Sequence, residues 1–182
     1  MSESWYEVVH EAGLEQGDIF FRCPIYRVER SLVENGETIA EVIEEEIDVI
    51  VLTQTCDLEN NKVDEVLVAT VTSYAELVAR EGERNPTIKS KNFRKAAVDG
   101  VLPPYAVLQE RQMAPGLAWS LVDFHNLFSM PKTLLTEVAF KSGERLRLVP
   151  PYKEHLAQAF ARYIMRVGLP STLHDFVTVA PG

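Results

Sequence analysis

The chain alternates short apolar runs with polar connections, and most of the runs are rich in β-branched and aromatic residues. Two of them, VIVLTQT and EVLVATVTS, occupy residues 49–55 and 65–73. Asn35-Gly36 separates two earlier strand-like segments, and this dipeptide is a strong hairpin signal because both residues tolerate positive φ. Strand character returns in YAVLQE at 105–110 and in LAWSLVDFHNLFS at 117–129. The pattern predicts a mainly β protein of the α+β class.

Other segments have the spacing of amphipathic helices. Residues 1–16 carry apolar side chains at roughly helical intervals, which predicts an N-terminal helix. Ser73, with Glu76 three residues later, has the form of a capping box and predicts a short helix through about residue 80. Residues 91–98 and 130–139 predict two further helices.

The clearest helix follows Pro150-Pro151, which suit a first helical turn. Gly168 is suited to the cap that ends this helix, and Pro170 to stopping it. Its apolar positions form one stripe, made of Tyr152, Leu156, Ala159, Phe160, Tyr163, Ile164 and Val167. We expect residues 149–182 to form an amphipathic helix and a tail that pack on the strands.

The bulk composition is that of a soluble globular protein. The chain has 182 residues, of which 46% are hydrophobic and 25% charged, and this length suggests one domain. The net charge of −9 repels nucleic acid unless the cations are gathered in one place.

Cysteine usage and the chain start suggest a compartment. Cys23 and Cys56 are the two cysteines, too few for a disulfide framework and typical of a reducing environment. The first residues lack the basic and apolar regions of a signal peptide, and no run approaches the roughly 18 apolar residues of a membrane span. We therefore expect a cytoplasmic protein with no membrane contact, no metal and no cofactor.

The order of the core segments resembles the PemK/MazF toxin family. The resemblance is carried by GDIFF at 17–21, by VIVLTQT followed by EVLVATVTS, and by WSLVDFHNLFSMPKTLL at 119–135. It covers residues 17 to about 140, and it implies a compact SH3-like barrel with peripheral helices. On this basis we divide the chain into an N-terminal helical segment at 1–16, a barrel at 17–148 and the C-terminal helix and tail at 149–182. The barrel then holds insertions at 26–47 and 79–100.

Members of that family are sequence-selective endoribonucleases that use an arginine and a hydroxyl group. The resemblance places the family hydroxyl at Thr72, whereas Ile47-Asp48 occupies the place of the arginine. An aspartate beside a phosphodiester repels the charge that an arginine would stabilise. Arg22 or Arg27, on the neighbouring strand, is a candidate replacement for the missing cation.

The Cys-Asp pair in TQTCD offers a second candidate site. Cys56 could act as a nucleophile beside Asp57 and His125, because a cysteine becomes reactive next to a histidine or a helix N-terminus. The alternative is structural: a buried Cys56, with Asp57 capping a turn through backbone amides. The sequence leaves both interpretations open and favours the structural one.

Charge is distributed unevenly along the chain. The segment 26–47 and its flanks are acidic, with a run of glutamates that suits either an exposed hairpin or a basic partner. Residues 80–95 are the basic stretch of an acidic chain, and they predict a surface that contacts a nucleic-acid backbone, with a solvated insertion as the alternative. The residues of that predicted surface are Arg84, Lys89, Lys91, Arg94 and Lys95.

Three functions are compatible with these residues. The first is a non-catalytic or regulatory MazF-like binding module, with a protein partner or a homodimer, in a prokaryotic toxin–antitoxin or defence setting. The second is a toxin-type endoribonuclease acting through Thr72 on RNA. The third is a thiol-dependent enzyme acting through Cys56. The missing arginine makes the first our prediction.

Overall fold

The computed structural model describes residues 4–34 and 37–165, apart from the side chains at 29–40. The Asn35-Gly36 turn, the predicted cap at Gly168 and the tail through residue 182 lie outside the described residues.

Within the described residues, seven strands form one sheet in which every pairing is antiparallel, with the order β1-β7-β2-β3-β4-β6-β5. Five α-helices and one 3₁₀ turn of the same part of the chain surround it, so the predicted α+β class with a mostly β core is confirmed. The strands are β1 (Tyr6–Val9), β2 (Asp18–Glu34), β3 (Glu37–Val51), β4 (Glu65–Ser73), β5 (Tyr105–Leu108), β6 (Ser120–Pro131) and β7 (Arg145–Leu148). The helices are α1 (Thr55–Glu59), α2 (Tyr74–Glu81), α3 (Lys91–Val98), α4 (Lys132–Ser142) and α5 (Tyr152–Ile164), with the 3₁₀ turn at Pro86–Lys89.

Both faces of the sheet are covered, because successive side chains of a strand point in opposite directions. On the first face, Ile50, Val71 and Val122 belong to a core that includes Leu156 of α5. On the second face, the core near α4 includes Val49 and Val68. The remainder of the second face packs against α2 and α3. Because both faces of the sheet are covered, the core strands have continuous apolar sequences instead of alternating ones.

The prediction of a helix at residues 1–16 is wrong. Residues 6–9 form β1, which pairs with β7 in the register Tyr6 to Leu148. The apolar side chains of a short amphipathic segment also fit a strand, and here a strand nearly 140 residues away decides the outcome. The ring of Trp5 stacks on that of Tyr152 at 4.2 Å between centroids, so the segment also contacts α5.

The locally encoded helices are confirmed. Ser73 Oγ accepts the backbone N–H of Glu76 at 3.1 Å, and Glu76 Oε2 accepts the backbone N–H of Ser73 at 3.1 Å, which forms the predicted capping box of α2. Helix α3 spans Lys91–Val98 as predicted, and Ser90 caps it by accepting the N–H of Phe93. The predicted segment at 130–139 becomes α4. The C-terminal helix forms as α5, from Tyr152 to Ile164.

A buried ionic cluster fixes the start of β2 against β7. Asp18 is fully buried and accepts Nε of Arg145 at 2.9 Å and Nε of Arg147 at 2.5 Å. Arg147 Nη1 donates to Glu11 Oε1 and Glu15 Oε1, and its Nη2 donates to the carbonyl of Gly13 and to Asp18 Oδ2. Burial alone lowers the pKa of Arg147, but the hydrogen bond and charge of Asp18, with Glu15 and Glu11, outweigh it and raise that pKa.

Beyond the first residues of β2 and the last residues of β3, these two strands leave the sheet as a two-stranded ribbon. Strand β7 pairs with β2 only at residues 18–19, and β4 pairs with β3 only at residues 49–51. Residues 22–34 and 37–47 therefore have no strand neighbour in the described sheet other than each other. We call this ribbon the arm. It contains the predicted acidic hairpin, and its base is packed through the buried Cys23 and Ile25.

Candidate functional site

Thr72 and Asp48, the two positions that the resemblance brings together, lie on opposite faces of the sheet. Strand β4 pairs with β3 in the register Val49 to Thr70, so Thr70 and Thr72 share the face of Val49. Asp48 precedes Val49 and points to the other face, as Ile50 does. The hydroxyl of Thr72 consequently has no Asp48 carboxylate beside it, and Ile47 shares its face.

The surroundings of Asp48 disfavour negative charge. Burial raises the pKa of Asp48, the hydrogen bond from the backbone N–H of Arg22 opposes this, and the charge of Glu76 raises that pKa further. The N–H of Arg22 donates to Asp48 Oδ1 at 2.9 Å. An anionic phosphodiester at this place would meet two carboxylates instead of a guanidinium.

Neither candidate replacement for the family arginine is free. Arg22 is exposed, and its Nε donates to Glu46 Oε2 at 2.8 Å. Arg27 Nε lies 3.2 Å from Glu45 Oε2, and the guanidinium of Arg27 stacks over the ring of Phe128. Both cations are therefore held on the arm by neighbouring glutamates.

Cys56 is exposed in the first turn of α1, so the interpretation of Cys56 as a small buried residue is wrong. The sequence did not predict α1, because the five-residue helix forms where a polar turn was expected. The contacts of Cys56 Sγ are Gln54 Oε1 at 3.6 Å and Asp57 Oδ1 at 3.8 Å. Both are oxygen acceptors, and neither is the histidine that the catalytic interpretation requires.

Asp57 does not cap the turn that contains it. No side chain caps α1 at its N-cap residue Gln54, and the contact of Asp57 Oδ1 with a cation is to Lys62 Nζ at 3.4 Å. The backbone turns at Asn60 and Asn61, with Asn61 at a φ of 49°. The pair Cys56-Asp57 is thus a surface feature of a helix followed by a turn.

His125 lies in a bulge of β6 and joins a different set of residues from Cys56. The register between β4 and β6 changes between Ala69, opposite Leu127, and Thr70, opposite Asp123. Asp123 Oδ1 accepts the backbone N–H of His125 at 3.0 Å and lies 3.4 Å from its Nδ1. The imidazole packs edge to face with Tyr105 and with Tyr163.

The predicted basic surface divides into a structural and an exposed part. Arg94 donates to the hydroxyl of Tyr74 and to the backbone carbonyl of Lys89, both at 3.0 Å, so it fixes the 3₁₀ turn against α2. The other four side chains are exposed and form no ion pair with any described side chain. They are Arg84, Lys89, Lys91 and Lys95. Lys91 and Lys95 share one face of α3, since they are four residues apart.

Two neighbouring cavities flank strand β5, and the sequence prediction missed both. A cavity of about 460 Å³ lies between β5 and α5, and its lining includes Trp5, Tyr152 and Arg162. A cavity of about 310 Å³ lies between β5 and α3, with Phe93 and Arg94 in its lining. The lining that they share includes Val98, Val107 and Trp119.

No sequence spacing predicts these cavities, because their lining residues are scattered along the chain between residue 5 and residue 162. Trp119, with 45% of its surface exposed, is an indirect signal, since tryptophan is highly buried on average. A third cavity, of about 650 Å³, lies between the arm and α4 and is lined by Arg22, Glu46 and Lys141 among others.

The described side chains contain no group of three or more histidines, cysteines or carboxylates that could hold a metal. Within the same part of the chain, no helix combines the length and apolar character needed to cross a bilayer. A comparison of the chain with family models finds no match, and neither does a comparison with curated proteins. The PemK/MazF resemblance therefore stays a prediction that depends on the residues quoted above.

Proposed function

We propose that this protein is a non-catalytic binding module with a MazF-like, SH3-like barrel. The antiparallel sheet and the peripheral helices support the fold part of the proposal. A prokaryotic role in a toxin–antitoxin or defence system, in the cytoplasm, belongs to the same proposal and is supported by the resemblance alone.

The observation that carries this proposal is the charge around Asp48. Phosphodiester cleavage of the family type needs a cation and a hydroxyl at one phosphate, because the developing negative charge must be stabilised. Here the nearest guanidinium on β2 is bound by Glu46, and Glu76 adds a second negative charge at Asp48. Thr72 lies on the opposite face. These features support loss of cleavage together with retention of the scaffold.

The test is an RNA cleavage assay with purified protein. A mixed-sequence RNA is incubated with excess wild-type protein and with the variants Thr72→Ala and Cys56→Ser, beside an active ribonuclease as positive control. We expect the RNA to stay intact with all three proteins. Cleavage by the wild-type protein that disappears in Thr72→Ala would overturn the proposal in favour of a ribonuclease. Cleavage that disappears only in Cys56→Ser would overturn it in favour of a thiol-dependent reaction.

A second candidate function is nucleic-acid binding without cleavage. It is favoured by Arg84, Lys89, Lys91 and Lys95, which are exposed and unpaired among the described residues. Such a surface would bind a phosphate backbone with an affinity that falls steeply with salt. Replacing Lys91 and Lys95 together by glutamate should then abolish binding of labelled single-stranded RNA, while Glu59→Lys, a distant exposed control, should not weaken it.

A further inference from the structure

Strand β5 is an accessible edge of the described sheet. It pairs with β6 on one side only, and Tyr105, Ala106 and Val107 are all partly exposed. The N–H of Phe124 donates to the carbonyl of Pro104. Opposite residues of antiparallel strands alternate between hydrogen-bonded and non-hydrogen-bonded pairs. Pro104 and Phe124 form a bonded pair, so Val107 and Leu121 form a non-bonded pair. In that alternation, the N–H and C=O of Val107 point away from β6.

The two cavities lie on opposite sides of this edge. The larger cavity is walled by first-face residues such as Leu108 and Leu156, and the smaller one by second-face residues such as Leu121. A strand that pairs with β5 would direct alternate side chains to the two faces. Backbone bonds at an edge, with pockets for alternate side chains, are the features by which sheets recognise an added strand.

Unpaired cations surround the same edge. Arg162 lines the larger cavity, and neither it nor Lys91 and Lys95 forms an ion pair with a described side chain. Lys91 and Lys95 share the face of α3 with Val98, which lines both cavities and is 69% exposed. The edge therefore offers apolar pockets with positive charge at their rims, and it suits a strand that carries apolar and acidic residues.

The arm has this composition. Tyr26, Val28 and Val42 are each more than half exposed, and Glu41 and Glu44 are exposed beside them on β3. The edge of β3 over residues 41–47 has no neighbour in the described sheet apart from β2. An isolated two-stranded ribbon is marginally stable in water, so an additional contact would stabilise it. Pairing of two arms with each other would bring like charges together.

We propose that residues 41–45 of β3 in one copy of this chain add as a strand to β5 of a second copy. Val42 and Ile43 then point to the two cavities. Glu44, on the side of Val42, meets the cations of α3, and Glu41, on the side of Ile43, meets Arg162 at the larger cavity. Reciprocal exchange of the arms closes a two-fold dimer. This inference goes beyond the proposed function and does not depend on it, because assembly and RNA cleavage are measured separately.

The test is sedimentation of the full chain over a range of concentrations, at low and high salt. We expect a concentration-dependent dimer that weakens as salt is raised. Val107→Pro removes the outward N–H at an edge position, where proline is tolerated, and should abolish the dimer. Val107→Ala keeps that N–H and serves as the matched control for folding, which thermal melts of both variants would verify.

Charge exchange gives an independent test. Glu44→Lys and Lys95→Glu should each weaken the dimer roughly tenfold, because like charges then face each other, and the two together should restore it. Glu59→Lys makes the same change of net charge elsewhere and should have no effect. A monomer at every concentration would overturn the proposal. A dimer whose dissociation constant changes with neither Val107→Pro nor the charge exchange would also overturn the proposal, because another surface would then form the dimer.

Discussion

Two positions near the start of β2 use the same chemistry, an arginine beside a carboxylate, in opposite surroundings. At the base, Asp18 and Arg145 have side chains that are 0% and 2% exposed, and Asp18 bonds to both Arg145 and Arg147. On the arm, Arg22 and Glu46 have side chains that are 80% and 52% exposed. Burial, and not the identity of the residues, separates the two cases.

The difference in burial determines how much each ion pair contributes to stability. Two arginines that are removed from water need their N–H groups satisfied, and Asp18, Glu11, Glu15 and the carbonyl of Gly13 supply acceptors. The exposed pair of the arm is screened by water and salt, so it contributes little to stability. We infer that the base ions hold the N-terminal segment to β7, while the arm ions keep an exposed ribbon soluble.

The largest effect is expected at Asp18. Asp18→Asn keeps the size of the side chain but leaves two buried guanidinium groups without their shared carboxylate. We expect the free energy of unfolding to fall by about 3–5 kcal/mol. Urea unfolding followed by circular dichroism measures this, with Asp57→Asn as the matched exposed control. A loss below about 1 kcal/mol would mean that Glu11 and Glu15 alone satisfy the cluster.

A smaller effect, an increase in the free energy of unfolding, is expected when Asp48 is replaced. Its carboxylate is partly buried and forms no ion pair with a described cation. The pKa of Asp48 is higher in the folded protein than its ordinary value of 3.8, so the folded state binds more protons just above that pH. Ionisation at neutral pH is therefore unfavourable, and Asp48→Asn should raise the free energy of unfolding. The gain should vanish below pH 3.8, where the wild-type carboxyl is protonated in both states. A gain that persists in acid would point to packing instead of charge.

The smallest effect is expected on the arm. Glu46→Gln removes the exposed ion pair with Arg22 and should change the free energy of unfolding by no more than about 0.5 kcal/mol. A double-mutant cycle with Arg22→Gln, by urea unfolding at low and high salt, isolates the pair. A coupling energy above about 1.5 kcal/mol would remove the contrast between the buried and the exposed ion pair.

Features that depend on neighbouring residues in the chain were predictable. The capping box of Ser73 and Glu76, the helix at Lys91–Val98 and the strand at 65–73 follow from local hydrogen bonds, spacing and side-chain shape. The N-terminal strand was missed because its partner is β7. The candidate Cys-His site was not assembled, since Cys56 and His125 lie in α1 and in a bulge of β6, each with its own neighbours.

The α+β composition, most of the strands and helices, and the uneven distribution of charge could be predicted from the chain alone. Packing brings Asp18 to Arg145 and Arg147, turns Thr72 and Asp48 to opposite faces, and places Val107 on the edge strand between two cavities. The two sets of features differ in the sequence separation of the residues that produce them. Propensity and capping act over a few residues, whereas strand register, burial and the assembly of cavity walls depend on residues brought together by packing.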